Sequence, residues 1–273
     1  MPNELFRFTR LINGQKQRTG ALGELFQSSA IKNETWLMVS PHDDDLAIGA
    51  GLLVQSALAE GVDLQVLVVT DGCQGYCTVE QRDHIVETRR AEMLDSFRIL
   101  GFSAQKIHTI GYPDANLFSY QGRRNAVGTE MSIAGHTGLQ NAFTYHLRHV
   151  RPTRVFVPTP TDLHPDHQIT HNELMICLFH AGGAIWPELG KPLADVPKVY
   201  EMAVYCDFID KPNIEIHAVN TVLETKLASI AAYKSQLQIA ALVENVRQAG
   251  AFEYLREVQF KLYSPNNYKS LFA

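Results

Sequence analysis

Four ionisable side chains lie together at one predicted strand-to-helix turn. Residues 42–45 read His-Asp-Asp-Asp after the apolar run 36–40, and a helix-like apolar pattern follows them. Carboxylates at such a turn can cap the next helix, but capping accounts for one or two carboxylates, not for three and an imidazole. Imidazole and carboxylate groups are common ligands of divalent metals. We therefore predict metal chemistry at this turn.

A second polar cluster follows another apolar, β-branched run. Residues 162–167 read Asp-Leu-His-Pro-Asp-His and come after the run 153–158. Taken with the first cluster, His42, Asp45 and His167 would supply two imidazoles and one carboxylate. This set leaves a position for water, as catalytic zinc requires, and it would also suit Fe(II). The two clusters together predict a hydrolytic metal site.

Asp44 and His164 remain free for chemistry in this arrangement. Adjacent carboxylates cannot point the same way, so Asp45 can bind the metal while Asp44 accepts a proton from the bound water. His164, three residues before His167, can then face the substrate oxygen.

Apolar β-rich runs alternate with helical patterns along the chain, which predicts a doubly wound α/β fold. The expected sheet is mostly parallel and Rossmann-like, with helices on both faces. Ligands of such sheets bind beyond the carboxyl ends of the strands, where the polar clusters fall. The predicted strands are 35–40, 63–70, 106–112, 153–158, 199–205 and a short one from 214; the predicted helices run to about 61 and over 84–100, 138–149, from 165, 222–237 and 240–247.

Length and composition predict a single domain over residues 1–273. We expect an N-terminal extension (1–33), an α/β core with the metal site (34–180) and C-terminal strands and helices that complete the domain (181–273). Residues 120–138 are rich in Gly, Arg, Asn and Thr without periodicity, which predicts a long loop that could act as a lid.

The charge balance favours a small-molecule partner. The chain has 24 Lys and Arg against 29 Asp and Glu, a formal net charge of -5, and its basic residues are scattered. This pattern indicates neither nucleic acid nor an anionic membrane. Few cysteines and no long apolar span favour a cytoplasmic protein, and the sequence leaves a homo-oligomer open. Cys73 and Cys77 lack a second pair that would complete a thiolate metal site, and we assign them no role.

The two polar clusters resemble the paired motifs of the LmbE-like, PIG-L-type zinc-dependent N-deacetylases. The resemblance covers about residues 34 to 260 and includes further landmarks in family order. These are Thr70-Asp71-Gly72, Arg89-Arg90-Ala91-Glu92 followed by Leu100-Gly101, Gly111-Tyr112-Pro113-Asp114, and Lys226 with Tyr233-Lys234-Ser235-Gln236.

The resemblance implies roles for individual residues. It makes Asp44 the general base and His164 the oxyanion partner, and Asp166 would orient His164 and raise its pKa. Asp71 is either a turn residue or a substrate-binding residue. The implied zinc ligands are His42, Asp45 and His167, and the implied substrate contacts, to sugar hydroxyls, are Arg89 and Asp114.

One position departs from the family pattern. The family usually has proline at position 43, where this chain has Asp43. The extra carboxylate could raise the basicity of Asp44, but we favour a solvated helix cap.

The sequence therefore predicts a zinc-dependent hydrolase that removes an N-acetyl group from an amino sugar or glycoconjugate. One alternative keeps the site but changes the substrate: an amidase or esterase acting on a non-sugar acyl group. A third hypothesis is a non-catalytic metal-binding or ligand-sensing protein, which the presence of Asp44 and His164 disfavours.

Overall fold

A nine-stranded sheet forms the centre of the computed structural model, which describes residues 4–260 and 263–273. Two further strands, β6 and β7, form a separate antiparallel pair. The strands are β1 (Phe6–Ile12), β2 (Gln15–Thr19), β3 (Thr35–Ser40), β4 (Asp63–Thr70), β5 (Ile107–Tyr112), β6 (Arg124–Asn125), β7 (His136–Thr137), β8 (Arg154–Pro158), β9 (Lys198–Met202), β10 (Ile214–Ala218) and β11 (Phe252–Val258).

Seven α-helices accompany these strands in the described chain. They are α1 (Leu22–Leu25), α2 (Asp45–Ala59), α3 (Ile85–Leu100), α4 (Leu139–Val150), α5 (Pro165–Gly182), α6 (Asn220–Ile230) and α7 (Ile239–Ala249).

Helices cover both faces of the parallel strands, and an apolar core lies on each face. Trp36 and Met38 of β3 join the core under α2, α3 and α6. Leu37 and Val39 join the core under α4 and α5. Strands covered on both faces read as continuous apolar runs, as β3 does. The predicted α/β fold with helices on both faces is confirmed.

The sheet is mixed rather than mostly parallel. Its order is β2-β1-β10-β11-β9-β8-β3-β4-β5. The strands from β9 to β5 run parallel, whereas each remaining neighbouring pair is antiparallel. Both polar clusters follow strands of the parallel half. The prediction of parallel strands therefore holds for the half of the sheet that carries the site.

The N-terminal residues add a hairpin to this sheet. β1 and β2 are joined by Asn13 and Gly14, both with positive φ. Asn-Gly is the typical pair for a two-residue hairpin turn, because both positions need positive φ. β1 also pairs with β10, and Phe6 and Phe8 are buried in the same core as Trp36 and Met38. The segment predicted as an extension thus contributes two strands.

The predicted helix 222–237 is too long. α6 ends at Ile230, and the chain turns through residues 231–238 instead. Polar contacts hold this turn beside the first cluster: Tyr233 donates its hydroxyl to the carbonyl of Asp43 (2.5 Å), and Gln236 donates to the carbonyl of Gly75 (2.7 Å). The early helix end brings Tyr233 and Gln236 to the site.

The loop 120–138 does not cover the site. It contains the β6–β7 pair, and its ends are tied down where Gly122 N–H donates to Glu173 (2.9 Å) and Gly138 N–H donates to the hydroxyl of Tyr112 (2.9 Å). Its Met131 packs against Gly111 and lines a neighbouring cavity. No residue of this loop lines the site cavity within the described chain, which argues against the lid prediction.

No helix of the described residues has the length and apolar character needed to cross a membrane.

Candidate active site

A cavity of about 190 Å³ opens beyond the carboxyl ends of the parallel strands. A larger concavity of about 670 Å³ lies against β1 and β10, but the described chain places no metal-donor cluster there. The smaller cavity is lined by His42, Asp44, Gly72, Gln74, Gly75, Arg89, Asp114, Ala115, His164, Tyr205 and Gln236.

Three donor atoms form a compact triangle beside this cavity. Nδ1 of His42 lies 3.0 Å from Nε2 of His167 and 3.3 Å from Oδ2 of Asp45, and the last two atoms are 3.1 Å apart. Donors held at about 2.0–2.1 Å by one tetrahedral zinc lie about 3.3 Å apart. All three residues are buried, and Oδ1 of Asp45 has no hydrogen-bond partner among the described residues. This donor set fits a zinc ion.

His42 also belongs to two other groups of possible metal donors. One group adds His164 and His167, and the other adds Asp114 and Asp166. The second group faces Nε2 of His42, on the opposite side of the ring from Nδ1. We favour the triangle with Asp45, because it leaves Nε2 of His42 facing the Asp114 carboxylate at 3.1 Å, and metal-binding histidines usually have a carboxylate there.

A carboxylate lies behind each of the two buried imidazoles. Asp114 lies 3.1 Å from Nε2 of His42, and Asp162 lies 3.3 Å from Nδ1 of His167. Burial would lower the pKa of His42, but Asp45, Asp114 and Asp166 raise it well above its ordinary value. Asp114 therefore supports His42 as well as lining the cavity, where we predicted only a substrate contact.

One carboxylate oxygen of Asp44 is buried and unpaired within the described chain. Its Oδ2 lies 3.1 Å from Nη2 of Arg89, while its Oδ1 has no hydrogen-bond partner in the described part of the chain. The side chain lines the cavity and is 15% exposed. A carboxylate with one anchored and one free oxygen can accept a proton in a defined direction.

We predicted that Asp43 is a solvated helix cap, and this prediction is wrong. It is 6% exposed and forms a bidentate ion pair with Arg89, in which Nε donates to Oδ2 (2.9 Å) and Nη2 donates to Oδ1. Burial would lower the pKa of Arg89, but Asp44 and Asp43 raise it, so the guanidinium stays charged. The buried cation of α3 draws the extra carboxylate inward.

Asp166 contacts His164 through its backbone, and its carboxylate raises the pKa of His164 as predicted but is outweighed. Its backbone N–H donates to Nδ1 of His164 (3.2 Å), while its carboxylate accepts from the N–H groups of Ala115 (2.7 Å) and Leu117 (3.2 Å). The pKa of His164 is lowered, first by burial and then by His42 and His167, and these effects outweigh Asp166. Because Nδ1 of His164 accepts the hydrogen bond from the Asp166 N–H, Nε2 is the ring nitrogen that can donate.

Asp71 is a turn residue rather than part of the cavity wall. Its Oδ1 accepts hydrogen bonds from the backbone N–H groups of Cys73 (3.0 Å) and Asp114 (3.1 Å), which joins the loops after β4 and β5. It lines the neighbouring cavity, not the one with the metal donors. The substrate-binding prediction for Asp71 is therefore not supported.

Sequence reasoning assigned no role to four residues of this site. Asp162 could have been found, because it lies in the second polar cluster; besides His167, it contacts the backbone N–H groups of His164 (3.1 Å) and Tyr205 (3.1 Å). Tyr205 stacks on His167 with ring centroids 5.3 Å apart. Gln236 belongs to the landmark at residues 233–236 but was given no role, and Gln74 belongs to no motif.

Metal donors beside a carboxylate and an imidazole, at the carboxyl ends of parallel strands, are typical of metal-dependent hydrolases. The model of the PIG-L family, described as GlcNAc-PI de-N-acetylase, matches residues 37–178. The chain belongs to this family of metal-dependent deacetylases, and the resemblance noted in the sequence is confirmed.

Two curated relatives carry deacetylase names. Diacetylchitobiose deacetylase of Thermococcus kodakarensis is 28% identical over 207 residues, which cover 73% of this chain and 69% of that protein. A 1D-myo-inositol 2-acetamido-2-deoxy-alpha-D-glucopyranoside deacetylase of Saccharopolyspora erythraea is 28% identical over 250 residues, covering 78% of this chain and 89% of that protein.

A solved structure supports the fold. The N,N'-diacetylchitobiose deacetylase of Pyrococcus horikoshii, in complex with an inhibitor, superposes with a TM-score of 0.66 at 20% identity, covering 92% of this chain and 98% of that one. At this identity the likeness concerns the fold alone.

Proposed function

We propose that this protein hydrolyses the N-acetyl amide of an amino sugar or glycoconjugate and releases acetate and the free amine. One observation carries the proposal: the His42–Asp45–His167 donor triangle lies beside a cavity into which Asp44 and His164 both project. The deacetylase names of the two curated relatives support an amide substrate on an amino sugar.

We propose zinc as the metal and His42, Asp45 and His167 as its ligands, with Fe(II) as the alternative for this donor set. When bound, zinc would lower the pKa of a water molecule and polarise a carbonyl oxygen. Asp114 and Asp162 would hold the two imidazoles in the correct tautomer and orientation, which raises their strength as ligands.

The remaining side chains would move the protons. Free Oδ1 of Asp44 accepts the proton of the attacking water, while Arg89 anchors its Oδ2. His164 donates from Nε2 to the carbonyl oxygen as negative charge develops there, because its Nδ1 already accepts from the backbone N–H of Asp166. When the amide C–N bond breaks, Asp44 returns the proton to the departing amine.

The size and polarity of the cavity suit a sugar. About 190 Å³ is room for a small group, and the Gln74 amide and the amide oxygen of Gln236, whose nitrogen already donates to Gly75 and Ser235, offer hydrogen bonds to hydroxyls. Tyr205 is 50% exposed at the same opening and presents an aromatic face. We propose these three residues and Asp114 as the sugar contacts.

Elemental analysis and acetate release together test the proposal. We expect about one zinc per chain in the wild type and acetate release from N,N'-diacetylchitobiose or N-acetylglucosaminyl-inositol. His167→Ala removes a buried donor and should lose both zinc and activity. His149→Ala, an exposed histidine on α4, should keep both.

The same experiment separates the alternatives. Zinc with acetate release only from non-sugar amides or esters would replace the proposal by the amidase or esterase. Full acetate release by a His167→Ala protein without metal would overturn the metal mechanism, and zinc without hydrolysis of any probe would favour the non-catalytic binding protein.

We further propose the cytoplasm as the compartment, because all four cysteines are free in the described chain and free thiols persist in reducing compartments. A small N-acylated molecule is the proposed partner. The scattered basic residues favour neither nucleic acid nor a membrane, and association of identical chains is open to measurement by light scattering.

A further inference from the structure

A chain of three charged side chains links the α3 helix to the first cluster. Asp43 forms two hydrogen bonds with the Arg89 guanidinium, through Nε (2.9 Å) and Nη2, and the same Nη2 lies 3.1 Å from Oδ2 of Asp44. Asp43 and Arg89 are 6% and 4% exposed. Bidentate pairs of this kind fix the relative orientation of their partners as well as attracting them.

Arg89 is enclosed on its other sides. Its guanidinium lies over the ring of Tyr233, 4.9 Å from the centroid, and the hydroxyl of Tyr233 donates to the carbonyl of Asp43. The loop after β4, which contains Gly72 and Gly75, packs against the Arg89 side chain. A Cβ atom added at Gly72 would lie 3.5 Å from Cβ of Arg89, and one added at Gly75 would lie 3.8 Å from its Nε. The cation is held from three directions before any substrate arrives.

Two of the three guanidinium nitrogens are therefore already engaged. Nε and Nη2 point at carboxylates of this chain, which leaves Nη1 as the nitrogen that could face a ligand in the cavity that Arg89 lines. Both carboxylates lie between His42 and Asp45, which are two of the three proposed metal donors. This arrangement suits an arginine that orients a neighbouring carboxylate better than one that grips a ligand.

We propose that Asp43 is a positioning residue, which holds Arg89 against Oδ2 of Asp44 so that Oδ1 faces the reacting water. Arg89 then serves the general base through Nη2. The inference rests on the proposed deacetylation, and it assigns Asp43 a role in the rate of the reaction and none in the affinity for the sugar.

Steady-state kinetics distinguish the two roles of Arg89. Loss of a positioning contact lowers kcat and leaves KM unchanged, whereas loss of a ground-state substrate contact raises KM. Misplacing a catalytic group by about 1 Å costs about 100-fold in rate. We therefore expect Asp43→Asn and Arg89→Gln each to lower kcat by about 10- to 100-fold with KM within about twofold of the wild type.

The double variant provides a test that leaves neither Asp43 nor Arg89 as an unpaired buried charge. Arg89→Gln alone leaves Asp43 buried without a counter-ion, which can destabilise the fold, but the Asp43→Asn/Arg89→Gln double variant removes both charges. Residues that act as a unit are not additive, so the double variant should be no slower than either single variant. The matched control is Arg90→Gln on the same helix, an exposed arginine whose loss should leave kcat and KM unchanged.

Two readouts do not depend on turnover. Zinc content should stay near the wild-type value in Asp43→Asn, because Asp43 is not one of the donors. The NMR signal of the Arg89 Nε–H should exchange slowly with solvent in the wild type and rapidly in Asp43→Asn, since the ion pair protects it.

These outcomes separate failure of the inference from failure of the proposed function. A raised KM with unchanged kcat in Arg89→Gln, or wild-type kinetics in Asp43→Asn, would refute the positioning role. If the wild type released no acetate from either sugar, the deacetylase proposal would fail. The exchange rate of the Arg89 Nε–H, compared with that of Arg90, would then decide by itself whether the ion pair exists.

Discussion

At the scale of single residues, Asp162 shows how much one buried carboxylate can organise. Its Oδ2 contacts His167 Nδ1 (3.3 Å) and the Tyr205 N–H (3.1 Å), and its Oδ1 accepts from the His164 N–H (3.1 Å). Carboxylates behind metal-bound histidines typically contribute about 10- to 100-fold in metal affinity. We therefore expect Asp162→Asn to weaken zinc binding by about 10- to 100-fold, measured by competition with a chromogenic chelator.

The control for Asp162 is Asp195→Asn, which removes an exposed carboxylate. Its zinc affinity should equal that of the wild type. An unchanged affinity in Asp162→Asn would show that the side chain only shapes the loop between β8 and α5.

At the scale of elements, Glu34 and Arg154 join the starts of β3 and β8. Glu34 accepts from Arg154 Nε (2.6 Å) and from the Trp36 indole (2.7 Å), while Arg154 also donates to the Phe26 carbonyl (2.9 Å). Burial would raise the pKa of Glu34, but the hydrogen bonds from Arg154, Ser28 and Trp36 lower it to about 2. The Arg154 guanidinium lies among the rings of Phe26, Trp36 and Tyr200.

The lowered pKa predicts a pH-dependent contribution to stability. A carboxylate whose pKa is lower in the folded than in the unfolded protein stabilises the fold at every pH above its unfolded pKa, which is 4.5 here. This contribution to stability is lost as the pH falls toward about 2. Glu34→Gln should lower the free energy of unfolding by about 2 kcal/mol at pH 7, a deficit that shrinks below pH 4.5. Urea unfolding at several pH values measures it.

The exposed Glu87 on α3 provides the control. Glu87→Gln should change the free energy of unfolding by less than about 0.5 kcal/mol at any pH. A Glu34→Gln deficit that stayed constant from pH 7 to pH 3 would mean that packing, not the ionised pair, stabilises these strand ends.

At the scale of the whole molecule, the two ends of the chain share one sheet. β1 pairs with β10, and Phe8 is 1% exposed in the same core as α2 and α3. We therefore propose that residues 1–273 unfold as one domain. Phe8→Ala should lower the free energy of unfolding by about 3–5 kcal/mol, and a single transition should persist by fluorescence and circular dichroism.

Phe179→Ala on α5 provides the comparison, because this phenylalanine is 55% exposed. Its effect should be small. Two separate transitions, with only one of them shifted by Phe8→Ala, would show that the N-terminal hairpin and its antiparallel neighbours fold independently of the parallel half.

Elements that depend on local sequence patterns could be predicted, and elements that depend on contacts between distant residues could not. The parallel strands were predictable, because burial on both faces makes them continuous apolar runs, as in β3. The N-terminal hairpin was missed although Asn13-Gly14 offers a local turn signal. The early end of α6 had no local signal, because it depends on contacts that Tyr233 and Gln236 make with distant loops.

The sequence by itself determined the chemistry that is available: His42, Asp44, Asp45, His164 and His167 follow buried strands, and strand ends in an α/β sheet converge. Only the tertiary structure decided how the surrounding charges are distributed. Asp43 turned inward because a buried guanidinium on α3 lay within reach, and the Asp166 carboxylate engaged the loop after β5 instead of His164. Such choices depend on which opposite charge or free N–H lies nearest in space, and spacing along one chain does not contain that distance.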